Sequence, residues 1–241
     1  MTRKGRFRGS TARTFLSRAK KRRSVRIETE AIVTGLIFED KKCIGVRFIQ
    51  KGKEHEIFAG KEIVLSGGAV NSPHILQVSG IGSQHHLQSI GVKTVHDLPG
   101  VGQNLQDHYV SRISHRVKNT VSINQLSRGI RLLREIGSWA FQGKGALTFG
   151  ITSAMVFSRS REGLSSPDIQ LLFTPASYSQ KTHGELEKEG GMTVVVCPVR
   201  PSSRGTIMAE SSDALIRPLI RPNYLSDPDD IRVMIAGIRQ A

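Results

Sequence analysis

EIVLSGGAVNSPHILQVSGIG, residues 62–82, sets the reading of the whole chain. It opens on Glu62-Ile63-Val64-Leu65, an apolar run too short for a helix and suited to a strand buried on both faces. Ser66-Gly67-Gly68-Ala69 follows at once, and two residues without side chains let backbone come close to a ligand. Asn71 or Ser72 can cap a helix, and Pro73 fits its first turn, where a missing N–H costs nothing. The expected helix covers His74 to about Val78 and stops at Ser79-Gly80-Ile81-Gly82. Free N–H groups at a helix start favour negative or strongly polar groups. The unit is therefore a candidate cofactor contact, although buried strands also turn through Gly-Gly for packing alone.

Upstream of this stretch the apolar period is two. Val25 and Ile27 alternate with polar residues, AIVTGLIF follows, and Ile44, Val46 and Phe48 alternate with Gly45 and Arg47. Glu39-Asp40-Lys41-Lys42 and Gln50-Lys51-Gly52-Lys53 are polar turns, so an antiparallel meander of three or four strands is expected. Before it, residues 10–20 have helical spacing, with Ser10 or Thr11 as cap and Ala12, Phe15, Leu16 and Ala19 on one face. Downstream, a second short helix near Gln84 to Ser89 precedes the strand-like VKTVHDL and the turn Pro99-Gly100-Val101-Gly102.

From about residue 111 the βαβ rhythm is absent. Strands are expected at 111–117, 153–158, 168–174, 193–199 and 205–210, with a helix near 125–142 carrying Leu126, Ile130, Leu133 and Phe141 on one face. Ser226-Asp227-Pro228-Asp229-Asp230 starts a last helix, whose apolar stripe is Ile231, Met234, Ile235 and Ile238. That stripe meets the end of the chain at Ala241 without a stop signal, which reads as truncation. The fold class is mixed α/β, with a boundary near residue 110.

The net charge is +15, and residues 1–26 hold eleven Lys or Arg and no acid. Such a run serves as a solvated surface, a counterion-displacing patch for nucleic acid or an anionic membrane, or a mitochondrial-type presequence. No aromatic platform, nucleic-acid motif or secretory stretch accompanies it, which favours the solvated surface and argues against a nucleic-acid partner. No apolar run approaches the roughly 18 residues of a membrane span. Cys43 and Cys197 are far apart and lack ligand-like neighbours, which fits a reducing, cytoplasmic compartment. His85 and His86 point about 100° apart on a helix and are unsuited to sharing an ion, so no metal site is expected.

Residues 62–82, together with GVKTVHDLPGVGQNLQDH at 91–108, resemble the second signature region of the glucose-methanol-choline oxidoreductases. The resemblance extends to residues 5–27, with Gly9-Ser10-Thr11-Ala12 and Phe15-Leu16. It also extends to 201–228, with Pro201-Ser202-Ser203-Arg204-Gly205 and Arg221-Pro222-Asn223-Tyr224-Leu225-Ser226-Asp227-Pro228. It looks closest to choline-dehydrogenase-like and other alcohol dehydrogenases. The resemblance implies FAD as cofactor and a small-molecule alcohol as substrate. A hydride passes from the CH–OH carbon to flavin N5 while a histidine takes the hydroxyl proton; the electron acceptor is left open.

On that basis residues 1–110 correspond to the second part of a Rossmann-like FAD-binding domain with its β-meander. Residues 111–241 correspond to a mainly antiparallel substrate-binding domain with packed helices, truncated at its C-terminus. Val33 falls where the family's meander gives adenine a backbone contact, and Ser66, Gly67 and Gly68 match the turn beside the cofactor's adenosine side. Asn104-Leu105-Gln106-Asp107-His108 matches a family element at the domain junction, with hydrogen-bonding rather than acid–base work expected of its Asp and His. No GxGxxG occurs, and none of the eight histidines (His55, His74, His85, His86, His96, His108, His115, His183) matches the family's catalytic motif, so no catalytic residue is assigned and the chain alone is expected to be inactive. The rival expectation is a non-enzymatic basic module for nucleic acid or an anionic membrane surface.

Overall fold

The computed structural model describes residues 3–5, 7–148, 150–179, 182 and 184–241; His183 lies outside the described residues. In chain order the main elements begin with strands β1 (Ala31–Glu39), β2 (Lys42–Gln50) and β3 (Lys53–Phe58), then helices α1 (Gly68–Val78) and α2 (Gln84–Ser89). Strand β4 (Ser111–Arg116), helices α3 (Ile123–Leu126) and α4 (Gly129–Gly137), and strands β5 (Ala154–Ser158), β6 (Ile169–Thr174) and β7 (Gly191–Pro198) follow. Strands β8 (Thr206–Met208) and β9 (Leu219–Arg221) and helix α5 (Pro228–Gln240) complete the order. The chain forms two compact units: Ile27–Asp107 with Ser202–Asp227, and Met1–Arg26 with His108–Pro201 and Pro228–Ala241.

In the first of these units β1, β2 and β3 pair antiparallel in that order, as the alternation predicts. Lys51 (φ 52°) and Gly52 (φ 73°) both take the left-handed conformation, the requirement of a two-residue hairpin whose twist matches its strands. Val33 pairs with Phe48 but Gly35 pairs with Arg47, so Thr34 is the extra residue of a β-bulge. Residues 25–29, read as alternating, form no strand.

Two readings of the 62–82 stretch are corrected. Residues 62–65 join no sheet; Ile63 and Leu65 are half-buried while Val64 is 78% exposed, so the run is one-sided rather than buried on both faces. A strand assignment needs a hydrogen-bonded neighbour, which local apolarity does not supply. The helix starts at Gly68, not His74, and Pro73 lies inside it. Pro73 deprives the Ala69 carbonyl of its N–H partner, but Ala69 is exposed and water can serve instead.

Helix α1 is fastened at its far end. The Ser79 hydroxyl donates to Ile75 O (2.6 Å) and accepts from Leu36 N–H (2.8 Å), holding the helix against β1 just beyond the bulge. Gln77, fully buried, donates through Nε2 to Pro73 O (3.1 Å) and Ile207 O (2.9 Å) and accepts Ala209 N–H at Oε1 (3.0 Å). The hairpin β8–β9 is thereby attached to the helix across more than a hundred residues of sequence. Gly102 (φ 82°) comes so close that a Cβ there would lie 2.3 Å from Ile207 O.

The other unit is built on a four-stranded antiparallel sheet in the order β4-β7-β6-β5. One face packs on α5, with Ile169 and Val196 against Val233 and Met234 and with Ile113, Leu171 and Ala236 around them. Gly237 permits the close approach: a Cβ there would lie 2.5 Å from Val196 Cγ1. That contact turns the helix so that Ile231, Ile235 and Ile238 of the expected stripe are exposed, and only Met234 is buried. The helix expected near 125–142 is divided into α3, α4 and a π-helical turn at Ser138–Gln142.

Candidate functional site

Ser66, Gly67 and Gly68 lie exposed at the head of α1. Gly67 is the N-cap (φ −75°, ψ −1°), and a Cβ on it would come 3.2 Å from Asn71 Cβ and Ser72 N. Gly68 has φ 82°, a conformation that L side chains rarely adopt, with open space where a Cβ would stand. The first turn of α1 carries no acidic residue, so nothing on the helix offsets the positive potential of its free N–H groups.

Val33 is half-buried at the bulge of β1. Beside it, the Thr34 hydroxyl oxygen is buried without a hydrogen-bond partner. A bulge re-aims backbone and side chain where regular pairing would hold them, and an orphaned buried hydroxyl is a group that a ligand can satisfy. The four residues belong to one compact unit, whose helix and meander are joined through Ser79. Bare backbone at a helix start without acids and, at the bulge, an orphaned hydroxyl are each groups that a polar or anionic ligand can satisfy.

Two GMC oxidoreductase family models match the chain, one over residues 1–110 and one over 201–241. The chain belongs to the GMC oxidoreductase family. It is 39% identical to the alcohol dehydrogenase [acceptor] of Pseudomonas putida over 246 residues, covering 99% of this chain and 44% of that protein. Against the mitochondrial choline dehydrogenase of Homo sapiens it is 36% identical over 228 residues, covering 93% of this chain and 38% of the relative. The Aspergillus oryzae RIB40 formate oxidase, a structure solved to study FAD modification, superposes with a TM-score of 0.78 at 28% identity, covering 88% of this chain and 42% of that one. This GMC chain thus spans less than half the length of the relatives it matches.

The Asn104–His108 string is held by hydrogen bonds in both units. Asp107 accepts from the Tyr224 hydroxyl, and His108 Nε2 lies 3.1 Å from Val199 O. The Asp107 contact, first through the hydrogen bond itself, raises the Tyr224 pKa above its ordinary 10.0. Leu105 and Gly205 exchange N–H···O bonds of 2.9 Å each, and Asn104 (φ 62°), Asn223 (φ 56°) and Leu225 (φ 58°) are left-handed around them. Gln77 and Ser79 have no signal of their own in the sequence, because their partners are remote.

On the face of the four-stranded sheet away from α5 lies a cavity of about 300 Å³, lined among others by Arg112, Thr152, Thr174, Tyr178 and Thr193. The register puts Thr174 opposite Thr193 and Arg112 opposite Val195, all on the side away from α5. The Arg112 guanidinium stands 6.0 Å from the Tyr178 ring centroid. No charge run or motif points to this lining; it follows from which residues the pairing brings into line.

His74 is buried on α1 with Nε2 unpartnered, and burial lowers its pKa below 6.5. Above 6.5 both folded and unfolded forms hold a neutral ring. As pH falls through 6.5 the unfolded form takes a proton that the folded form resists, so stability falls from that point until the lower folded pKa is reached. Urea midpoints of wild type should therefore drop from neutral pH to about pH 5 more than those of His74→Leu. Parallel curves for the two proteins would rule out this titration.

Proposed function

We propose that the stretch from β1 to α1 supplies the adenosine-facing part of an FAD site in an oxidoreductase acting on CH–OH groups of alcohols. The observation that carries this is Gly68: exposed, left-handed, and placed at a helix start without acids. Val33, Ser66, Gly67 and Gly68 are the residues assigned to hold the cofactor, with backbone N–H and C=O groups rather than side chains as the contacts. FAD, when bound, accepts the hydride that leaves the alcohol carbon. Residues 1–110 are assigned to the flavin side and 111–241 to the substrate side. The hydroxyl-lined cavity with Arg112 and Tyr178 suits a small polar alcohol. The partners are a small-molecule alcohol and an electron acceptor, and two free cysteines fit a reducing, cytoplasmic setting. No helix of the described residues is long and apolar enough to cross a membrane.

The test is an equilibrium titration of the purified chain with FAD, read by flavin fluorescence, beside Gly68→Ala. A Cβ at φ 82° costs about 1–2 kcal/mol, so the free variant's turn should relax toward negative φ and binding must repay that cost, lowering affinity roughly five- to thirtyfold. The chain itself should lose its flavin on desalting and show no alcohol oxidation, because no GxGxxG turn to cradle the pyrophosphate occurs among its 241 residues. Equal FAD affinity in Gly68→Ala would remove the site. A yellow chain bleached by alcohol after desalting would overturn the expected inactivity.

A further inference from the structure

We propose that α4, its π-helical continuation and the basic N-terminal segment form one docking surface for an anionic lipid surface. The proposal is independent of the flavin reading. Along the helix Ile130, Leu133, Ile136 and Phe141 face solvent, Ile130 at 79% and Phe141 at 87% exposure. Arg131 and Arg134 are exposed among them, while Leu132 and Glu135 are the half-buried side. The Glu135 carboxylate accepts Ala146 N–H at 2.7 Å, which holds the segment's one acid away from the outer face.

The N-terminal segment meets this helix directly. The Phe7 ring stands edge-on to Trp139 at 5.9 Å, Arg13 lies 4.5 Å over the Phe7 ring, and Lys4 Nζ donates to Arg13 O at 2.9 Å. The described residues of this acid-free, cation-rich segment thus lie in one compact unit with the exposed apolar helix. Phe15 adds a further ring, 78% exposed.

Large apolar side chains clustered on a surface mark an interaction site, whereas single ones do not. A helix carrying arginines beside Ile, Leu and Phe lies in the plane of a bilayer interface, with side chains at the acyl boundary and guanidinium groups on phosphates. An adjoining polybasic run adds attraction to an anionic leaflet. Nucleic acid would use the cations but leaves Ile130, Leu133 and Ile136 without a partner, since aliphatic chains neither stack on bases nor read phosphates. The two segments carry no acid besides the inward-held Glu135, which suits an extended negative field.

Trp139 is the chain's one tryptophan, so its emission reports this surface alone. Vesicles of equal parts phosphatidylglycerol and phosphatidylcholine should shift that emission to the blue and sediment the chain, with affinity at least about tenfold above pure phosphatidylcholine. Arg131→Glu with Arg134→Glu, and separately Leu133→Ser with Phe141→Ser, should each weaken binding about tenfold or more while circular dichroism is unchanged. Should a pair disturb folding, Phe141→Ser alone serves, as the most exposed of the set. Absence of sedimentation with the anionic vesicles, or full binding by the serine variants, overturns the proposal. Tighter binding to a nucleic-acid strand than to the vesicles at matched charge also overturns it and reassigns the cations.

Discussion

Gln77→Leu is expected to lower the stability of the chain by roughly 2–6 kcal/mol, because each buried donor or acceptor left without a partner costs about 1–3 kcal/mol. Leucine is close to glutamine in volume, so little cavity forms and the loss is that of the polar contacts. Two main-chain groups lose their partner: Ile207 O its donor and Ala209 N–H its acceptor. Urea midpoints give the magnitude, and the Ala209 amide gives the location, since its hydrogen exchange should quicken more than that of the β2 amides. A loss under about 1 kcal/mol with unchanged Ala209 exchange would show that water or a local shift replaces the side chain. Gln77→Met keeps length and flexibility without the amide and should match the leucine variant.

The same residue marks the limit of what could be read from the sequence. The meander was legible because period-two alternation and the Lys51-Gly52 turn are local, and local signals act on neighbours. The strands near 111, 154, 169 and 191 followed from the same kind of pattern. Asn71-Ser72-Pro73 is a good cap sequence and points to a late start for α1, while the true start rests on Gly68 adopting a positive φ. The strand at 62–65 failed for the opposite reason: apolarity gives no ladder without a partner strand. In α5 the periodicity of Ile231, Ile235 and Ile238 was real, but a glycine at 237 set which face meets the sheet. For the candidate site, the glycine pair was visible as composition and Val33 entered only through family likeness. Thr34 carries no signal until the bulge buries its hydroxyl. Each shortfall is a case of long-range packing deciding between options that local chemistry leaves open.

The other large effect is expected at Asn124 of α3, buried in the unit built on the four-stranded sheet. Its Nδ2 donates to Ser177 O (2.8 Å) and Glu187 O (3.0 Å), and its Oδ1 accepts Ser177 N–H (3.0 Å). The side chain is fully buried, so solvent cannot take its place. Asn124→Leu strands two main-chain groups, Glu187 O and Ser177 N–H, while Ser177 O keeps Glu187 N–H at 3.0 Å, and should cost roughly 2–6 kcal/mol, with the branched chain also misfitting the polar niche. Asn124→Asp is the sharper test, because it keeps the shape and the acceptor but turns a carboxylate oxygen toward two carbonyl oxygens. Repulsion and burial raise that carboxyl's folded pKa above its unfolded value near 3.9. A raised folded pKa means stability is present below the unfolded value and lost as pH rises through the folded one. At neutral pH the aspartate variant should therefore be no more stable than the leucine variant, and in acid it should regain stability relative to it. The segment it holds leads into Tyr178 and lies beside Thr193, whose hydroxyl donates to Ala176 O at 2.7 Å, so both variants should loosen one wall of the cavity beside Arg112. Faster exchange at Ser177 N–H than at the β6 amides is the observable. Equal, pH-independent midpoints for the two variants would mean that Asn124 is held by shape and not by its amide.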